Sequence, residues 1–179
     1  MKLKIACRVP PIAAAFFFVC ILVIIPRTFA AETDNTNRCN RITLKTAASI
    51  LMLSSDDLQR HDTDMMVSPE DIQKKTFKRQ PCNCAIRSKS DFLKGIACII
   101  YEYNDPGQAR IDFDKMKNGY GAVCKVDVVP DIGDETFWVG DNRFQRMVSI
   151  NGDVVVDVLS PKDFDLQKQI IRLVLGDSQ

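Results

Sequence analysis

The dipeptide Asn151-Gly152 constrains this chain more than any other pair of residues in it. Strand patterns flank it, Phe144 to Ile150 before and Asp153 to Leu159 after. Asn-Gly is a favoured centre for a two-residue hairpin turn, because both residues tolerate positive φ. A turn of fixed length fixes the register. It sets Arg146 opposite Asp157, Val148 opposite Val155 and Met147 opposite Val156. Val154, Val156 and Val158 then form a core face. The other face carries Phe144, Val148, Ile150, Val155 and Leu159 around the Arg146–Asp157 pair. It is too apolar for bare solvent, so a cover is expected: a long polar loop, the N-terminal segment or a partner.

The remaining elements follow from periodicity and caps. Thr43 caps a helix whose stripe is Leu44, Ala47, Ala48 and Leu51. Residues 54–81 read as a long polar loop, with an edge strand at Met65-Met66-Val67. In that loop Lys74, Lys75, Lys78 and Arg79 read as a solvated basic face. Cys84 to Arg87 and Ile96 to Tyr103 are strands joined through Lys89-Ser90-Asp91. Asp105-Pro106 opens a helix with Ala109, Phe113 and Met116 inward, ending near Gly119. Ala122 to Val129 is a strand, closed by Pro130. Gly133 turns the chain, and Thr136, Phe137 and Trp138 resume extended structure. Ser160-Pro161 starts a last helix, with Leu166, Ile170, Leu173 and Val174 as its stripe. The class is α+β: one antiparallel sheet of about five to six strands, with helices mainly on one face. Hairpin-then-helix occurs twice, at 84–118 and 143–175, which suggests a duplicated ββα unit.

Residues 1–30 have the order of a secretory signal. Lys2, Lys4 and Arg8 precede the apolar run Ile12 to Ile25, and Thr28-Phe29-Ala30 offers small residues before a cut. The run is about 14 residues, short of the roughly 20 that span a bilayer. An uncleaved anchor is the competing reading and would be the only contact with a membrane. The expected organisation is a signal at 1–30, a flexible stretch at 31–38 and one domain at 39–176, in the periplasm, the envelope or the secreted space. Removing the signal takes four of 24 basic residues and none of 23 acids, leaving 20 against 23, a net charge of −3. That balance argues against a nucleic-acid partner.

Of seven cysteines, Cys7 and Cys20 lie in the signal, and Cys39, Cys82, Cys84, Cys98 and Cys124 remain. Export favours disulfides, and an odd number leaves one thiol over. Cys82-Asn83-Cys84 could exchange electrons, but it leads into a strand rather than a helix start. Zinc through Cys82, Cys84, Cys98 and Cys124 meets the ligand count with irregular spacing. Asp131, Asp134, Glu135 and Asp141 gather at the central turn without the spacing of a calcium loop, and aspartates also serve turns locally. His61, beside Asp62 and Asp64 in the polar loop, lacks the scaffold that a catalytic histidine needs. No catalytic residue, cofactor or metal is assigned.

Several of these features occur together in a known pattern: Cys39 before Thr43-x-x-x-Ala47, Cys84 opening a strand, and a strand then helix from Ile96 to Met116 with Ala109. The Pro130-Asp131-Ile132-Gly133-Asp134-Glu135-Thr136-Phe137-Trp138 turn, a hairpin and a closing helix complete it. The chain in this respect resembles small exported or lipoprotein-type bacterial domains of unknown function, best known from actinobacteria. The resemblance implies an α+β fold, an envelope location and a Cys39–Cys84 disulfide. It implies no activity. The functional expectation is an exported non-catalytic domain that binds a protein or small ligand. The alternative is a thiol–disulfide redox protein using Cys82 and Cys84.

Overall fold

A computed structural model describes residues 37–140 and 145–176. The expected signal, Asp141 and Phe144 lie outside the described residues. In chain order the elements are a 3-10 turn (Arg38–Arg41), α1 (Leu44–Leu51), a second 3-10 turn (Ser55–Asp57), β1 (Leu58–Arg60) and β2 (Thr63–Asp64). Then come α2 (Pro69–Gln73), β3 (Cys82–Ser88), β4 (Gly95–Glu102), α3 (Pro106–Gly121) and β5 (Val126–Val128). β6 (Glu135–Gly140), β7 (Gln145–Asn151), β8 (Val154–Ser160) and α4 (Phe164–Leu175) are the last elements among the described residues.

The strands form one eight-stranded antiparallel sheet in the order β1-β3-β4-β8-β7-β6-β5, with β2 also paired to β3. The two strands beyond the expected six are β1 and β2. They lie within the stretch read as a loop, at residues 58–64 rather than 65–67. They are too short, and too poor in apolar anchors beyond Leu58, to leave an alternating pattern. Both the β3-β4-α3 and β7-β8-α4 units are present, and their inner strands β4 and β8 pair at the middle of the sheet.

Helices cover both faces, not mainly one. On one face α1 and α4 bury Ala47, Ile170, Ile171 and Val174 against Ile96, Cys98, Val154, Val156 and Val158. On the other, α3 lays Ala109 and Phe113 over Phe137, Val139, Val148, Ile150 and Val155. Helical periodicity shows that a helix has an apolar stripe but not which sheet face receives it. The α4 stripe is also rotated: Gln167, Ile170, Ile171 and Val174 are buried, while Leu166 and Leu173 are half-buried. Asp163 caps α4 by accepting from Leu166 N at 2.9 Å, so the helix starts three residues beyond Ser160-Pro161. In α1, Thr43 and Thr46 cap each other reciprocally, and Leu44 faces solvent at 36% exposure.

The hairpin register differs from expectation by two residues. Asn151 pairs with Val154, and Val148 pairs with Asp157 rather than Val155. The turn residues are therefore Gly152 and Asp153, and of these only Gly152 has positive φ, at 57°. That is the turn that takes glycine at its first central position. A slip of two keeps every side chain on its expected face. Arg146 now reaches Asp157 diagonally, at 3.0 Å.

Gly133 has φ +57°, and a Cβ there would sit 2.5 Å from Ile150 O and 2.7 Å from Ser149 Oγ. Gly133→Ala must therefore adopt left-handed backbone and displace β7. Together these are expected to lower the unfolding free energy by about 2–3 kcal/mol, readable in a urea melt.

Candidate functional site

The face expected to meet a partner is filled from within the chain. Val148, Ile150 and Val155 are 0–3% exposed beneath α3. Leu159 is half-buried near the end of β8. The long loop adds one piece of the cover: Phe77 packs on Tyr103 at 4.8 Å and Tyr101 at 6.2 Å between ring centroids. The cover is thus α3 with help from the loop.

The described acids of the central turn do not converge. Glu135 pairs with Lys117 and Arg110 of α3, each at 2.6 Å. These hydrogen bonds, led by Lys117, hold its carboxyl below the usual range. Asp134 instead accepts from Gly152 N at 2.6 Å, fastening the turn to the hairpin. Trp138 is half-buried and meets Phe164 edge-on at 6.1 Å, in the layer with α1 and α4 rather than beside Glu135. His61 is exposed between β1 and β2, its backbone N–H donating to Ala85 O at 2.7 Å.

The cysteines divide between the two faces. Cys39 is bonded to Cys82, with an S–S distance of 2.03 Å, in place of the Cys39–Cys84 pairing that the resemblance implies. Cys82 and Cys84 are two apart on β3 and so share a face, and Cys98 of β4 stands opposite Cys84. Cys84 and Cys98 are buried thiols. Cys124 packs at the edge of the other core layer, so the zinc set that includes it is not assembled. The Arg60 guanidinium spans this region. It donates to Ile42 O at 2.8 Å, Cys39 O at 2.7 Å and Cys84 Sγ at 3.9 Å.

The segment after β2 builds a cleft that sequence reasoning did not identify. Ser68 caps α2 by accepting from Asp71 N at 3.1 Å, and Pro69 takes the first helical position. Asn104 then fixes the descending chain, its side-chain amide donating to Lys75 O at 2.6 Å and Phe77 O at 3.0 Å. Phe77 bridges to Tyr103, and Gln80 ties back to Met65 O at 2.7 Å. The cleft between these pieces has a volume of about 560 Å³. Met66, Val67, Ile72 and Phe77 give it an apolar wall, and Lys75, Lys78 and Arg79 stand on its rim. Lys78 is paired with Asp153, and Arg79 lies 3.5 Å from Glu102. Met66 is 98% and Ile72 65% exposed, so the wall is open to a ligand. The signal for this site was the Met65-Met66-Val67 cluster beside four cations, read as an edge strand and a solvated face. A second recess of about 540 Å³, with Leu51, Leu93 and Leu166 in its lining, lies at the β4–β8 end near Pro161.

The chain matches no family model and no curated protein sequence. Among solved structures it is similar to the extracellular domain of PknH from Mycobacterium tuberculosis, at 12% identity and a TM-score of 0.52. That similarity covers 75% of this chain and 90% of the other. It supports the α+β fold. Among the described residues no helix is long and apolar enough to cross a membrane.

Proposed function

We propose that the chain is an exported, non-catalytic binding domain whose cleft beside α2 takes a small amphiphile with an anionic head. The cleft carries this reading. Its volume falls in the range of small-molecule sites, and an apolar wall with a few placed polar groups is the usual composition of one. The apolar part of the ligand lies along Met66, Ile72 and Phe77. Its head meets Lys75, which is exposed, with Lys78 beside it.

Export is supported by the signal-like order of residues 1–30 and by the Cys39–Cys82 bond, which belongs in an oxidising compartment. The fold's likeness to an extracellular domain agrees with it.

The test uses the protein recovered from the exported fraction, titrated with a fluorescent long-chain fatty acid and with the corresponding alcohol. Saturable binding of the acid over the alcohol is expected. Ile72→Glu places a charge on the wall, and Lys75→Glu reverses the rim. Each should weaken binding by about tenfold or more. Leu93→Glu, in the other recess, should leave binding intact. Equal affinity of the parent and Ile72→Glu proteins would overturn the assignment.

A further inference from the structure

Four sulfurs gather on one side of the sheet, under the N-terminal 3-10 turn. Cys39, Cys82, Cys84 and Cys98 are 1%, 6%, 0% and 0% exposed. One disulfide and two thiols are shared among them. Cys84 is the common neighbour. Its Sγ lies within 4.8 Å of Cys39 Sγ, half of the existing bridge. In the other direction it is directly across the strand pair from Cys98. Directly opposed residues of antiparallel strands have Cα atoms about 4.5–5.5 Å apart, within the span that a disulfide bridges.

The polar groups around Cys84 suit an attacking sulfur. Arg60 aims a guanidinium N–H at it from 3.9 Å and is itself paired with Asp62 at 2.5 Å, so that a guanidinium and a carboxylate stand together beside the sulfur. A carboxylate oxygen of Asp62 lies within 4.8 Å of both Cys84 Sγ and Cys39 Sγ. Asp62 is exposed, so it links the buried sulfurs to solvent. The Cys98 thiol is held well above its ordinary value, first by its hydrogen bond with Cys84 and then by burial, so it keeps its proton while Cys84 reacts.

We propose that Cys84 is the exchange sulfur of a built-in relay that moves the bridge from Cys39–Cys82 to Cys84–Cys98, freeing the N-terminal turn from the sheet. In the first step the Cys84 thiol gives its proton to Asp62 and attacks Cys39 Sγ. The Cys84–Cys39 bond forms, the Cys39–Cys82 bond breaks, and Cys82 leaves as a thiolate. In the second step Cys98 gives its proton to the Cys82 thiolate and attacks Cys84 Sγ. The Cys98–Cys84 bond forms, the Cys84–Cys39 bond breaks, and Cys39 leaves and takes back the proton held by Asp62, whose carboxylate lies within 4.8 Å of its sulfur. One disulfide and two thiols are present before and after, so no external oxidant or reductant takes part. Burial keeps dissolved thiols away and makes the exchange intramolecular.

The test is a disulfide map. The native oxidised protein is held at pH 8 with N-ethylmaleimide, quenched in acid, digested with pepsin and read by mass spectrometry. In the parent, Cys84–Cys98 bridges should accumulate while Cys39 and Cys82 become alkylated. Cys98→Ser should stop the relay at Cys39–Cys84, with Cys82 alkylated beside the separate, half-buried Cys124. Cys84→Ala should keep Cys39–Cys82 throughout. Trypsin supplies a second readout, since the relay frees the segment carrying Arg38 and Arg41. Cleavage there should rise by about tenfold or more in the parent after incubation and stay flat in Cys84→Ala. If Cys84→Ala does not fold, the parent and Cys98→Ser still decide the matter. A parent that holds only Cys39–Cys82, with Cys84 and Cys98 unmodified as thiols, overturns the proposal. So do exchanged bridges that form without Cys84.

Discussion

Replacing Cys39 and Cys82 together by alanine will lower the unfolding free energy by about 4 kcal/mol. The bridge joins residues 43 apart, and closing a loop of that length removes about that much chain entropy from the unfolded state. Both positions are buried, so alanine leaves no unsatisfied hydroxyl behind, as serine would. The loss is read from urea melts of the oxidised parent and the double variant, with mass spectrometry checking that Cys84 and Cys98 are thiols in the variant. A difference below about 1 kcal/mol would mean that the segment between Cys39 and Cys82 is already constrained when unfolded. The bond also holds the turn whose arginines cap α4. Arg41 Nη1 donates to Val174 O at 2.7 Å and Arg38 Nη1 at 3.2 Å. The variant should therefore lose protection of α4 as well as global stability.

Arg146→Met will cost about 3–5 kcal/mol at pH 8, because it strands Asp157 beneath α3. The two side chains are 18% and 4% exposed and pair at 3.0 Å. Arg146 also lies over the Tyr120 ring at 5.4 Å. Burial pushes the Asp157 carboxyl up to about 6, and the nearby Arg146 only partly offsets it. The direction with pH follows from that shift. A carboxyl that holds its proton more tightly when folded contributes stability below its unfolded value near 3.8, and loses it as pH rises through about 6. A shift of roughly two units corresponds to about 3 kcal/mol. The parent should thus lose stability, relative to Asp157→Asn, between about pH 4 and pH 6. The Arg146→Met penalty should shrink below about pH 5, where Asp157 is protonated. Parallel melts of the three proteins at pH 4, 6 and 8 check both statements. An unchanged penalty from pH 8 to pH 4 would show that lost contacts with Tyr120, rather than the stranded charge, set the cost.

The central strands and the capped α3 were legible because alternation and Asp-Pro caps are local properties. β1 and β2 were not, since strands of three and two residues carry no period. The hairpin showed a different kind of limit. Asn151-Gly152 and Gly152-Asp153 are both acceptable turn centres, and the choice is made by how β8 fits between β4 and β7. The disulfide shows the same limit. Cys82 and Cys84 face the same way on β3, and only the position of the turn carrying Cys39 distinguishes them. The face expected to meet a partner lies beneath α3, a helix whose stripe was legible while the sheet face that receives it was not. The cleft was hidden for a further reason: its wall and rim come from a segment whose shape is set by Asn104, distant in sequence.

The arginine caps on α4 have a mechanical consequence. They place the start and the finish of the described chain side by side, with Arg38 and Arg41 hydrogen-bonded to the last turn of the final helix. A pull applied across residues 37 and 176 would first load those few bonds and the covalent bridge behind them, and the bridge passes the load to Cys82 at the start of β3. The bridge thus acts as a latch: closed, it directs tension into β3 of the sheet, and opened, it lets the leading segment peel away while the remaining fold stays whole.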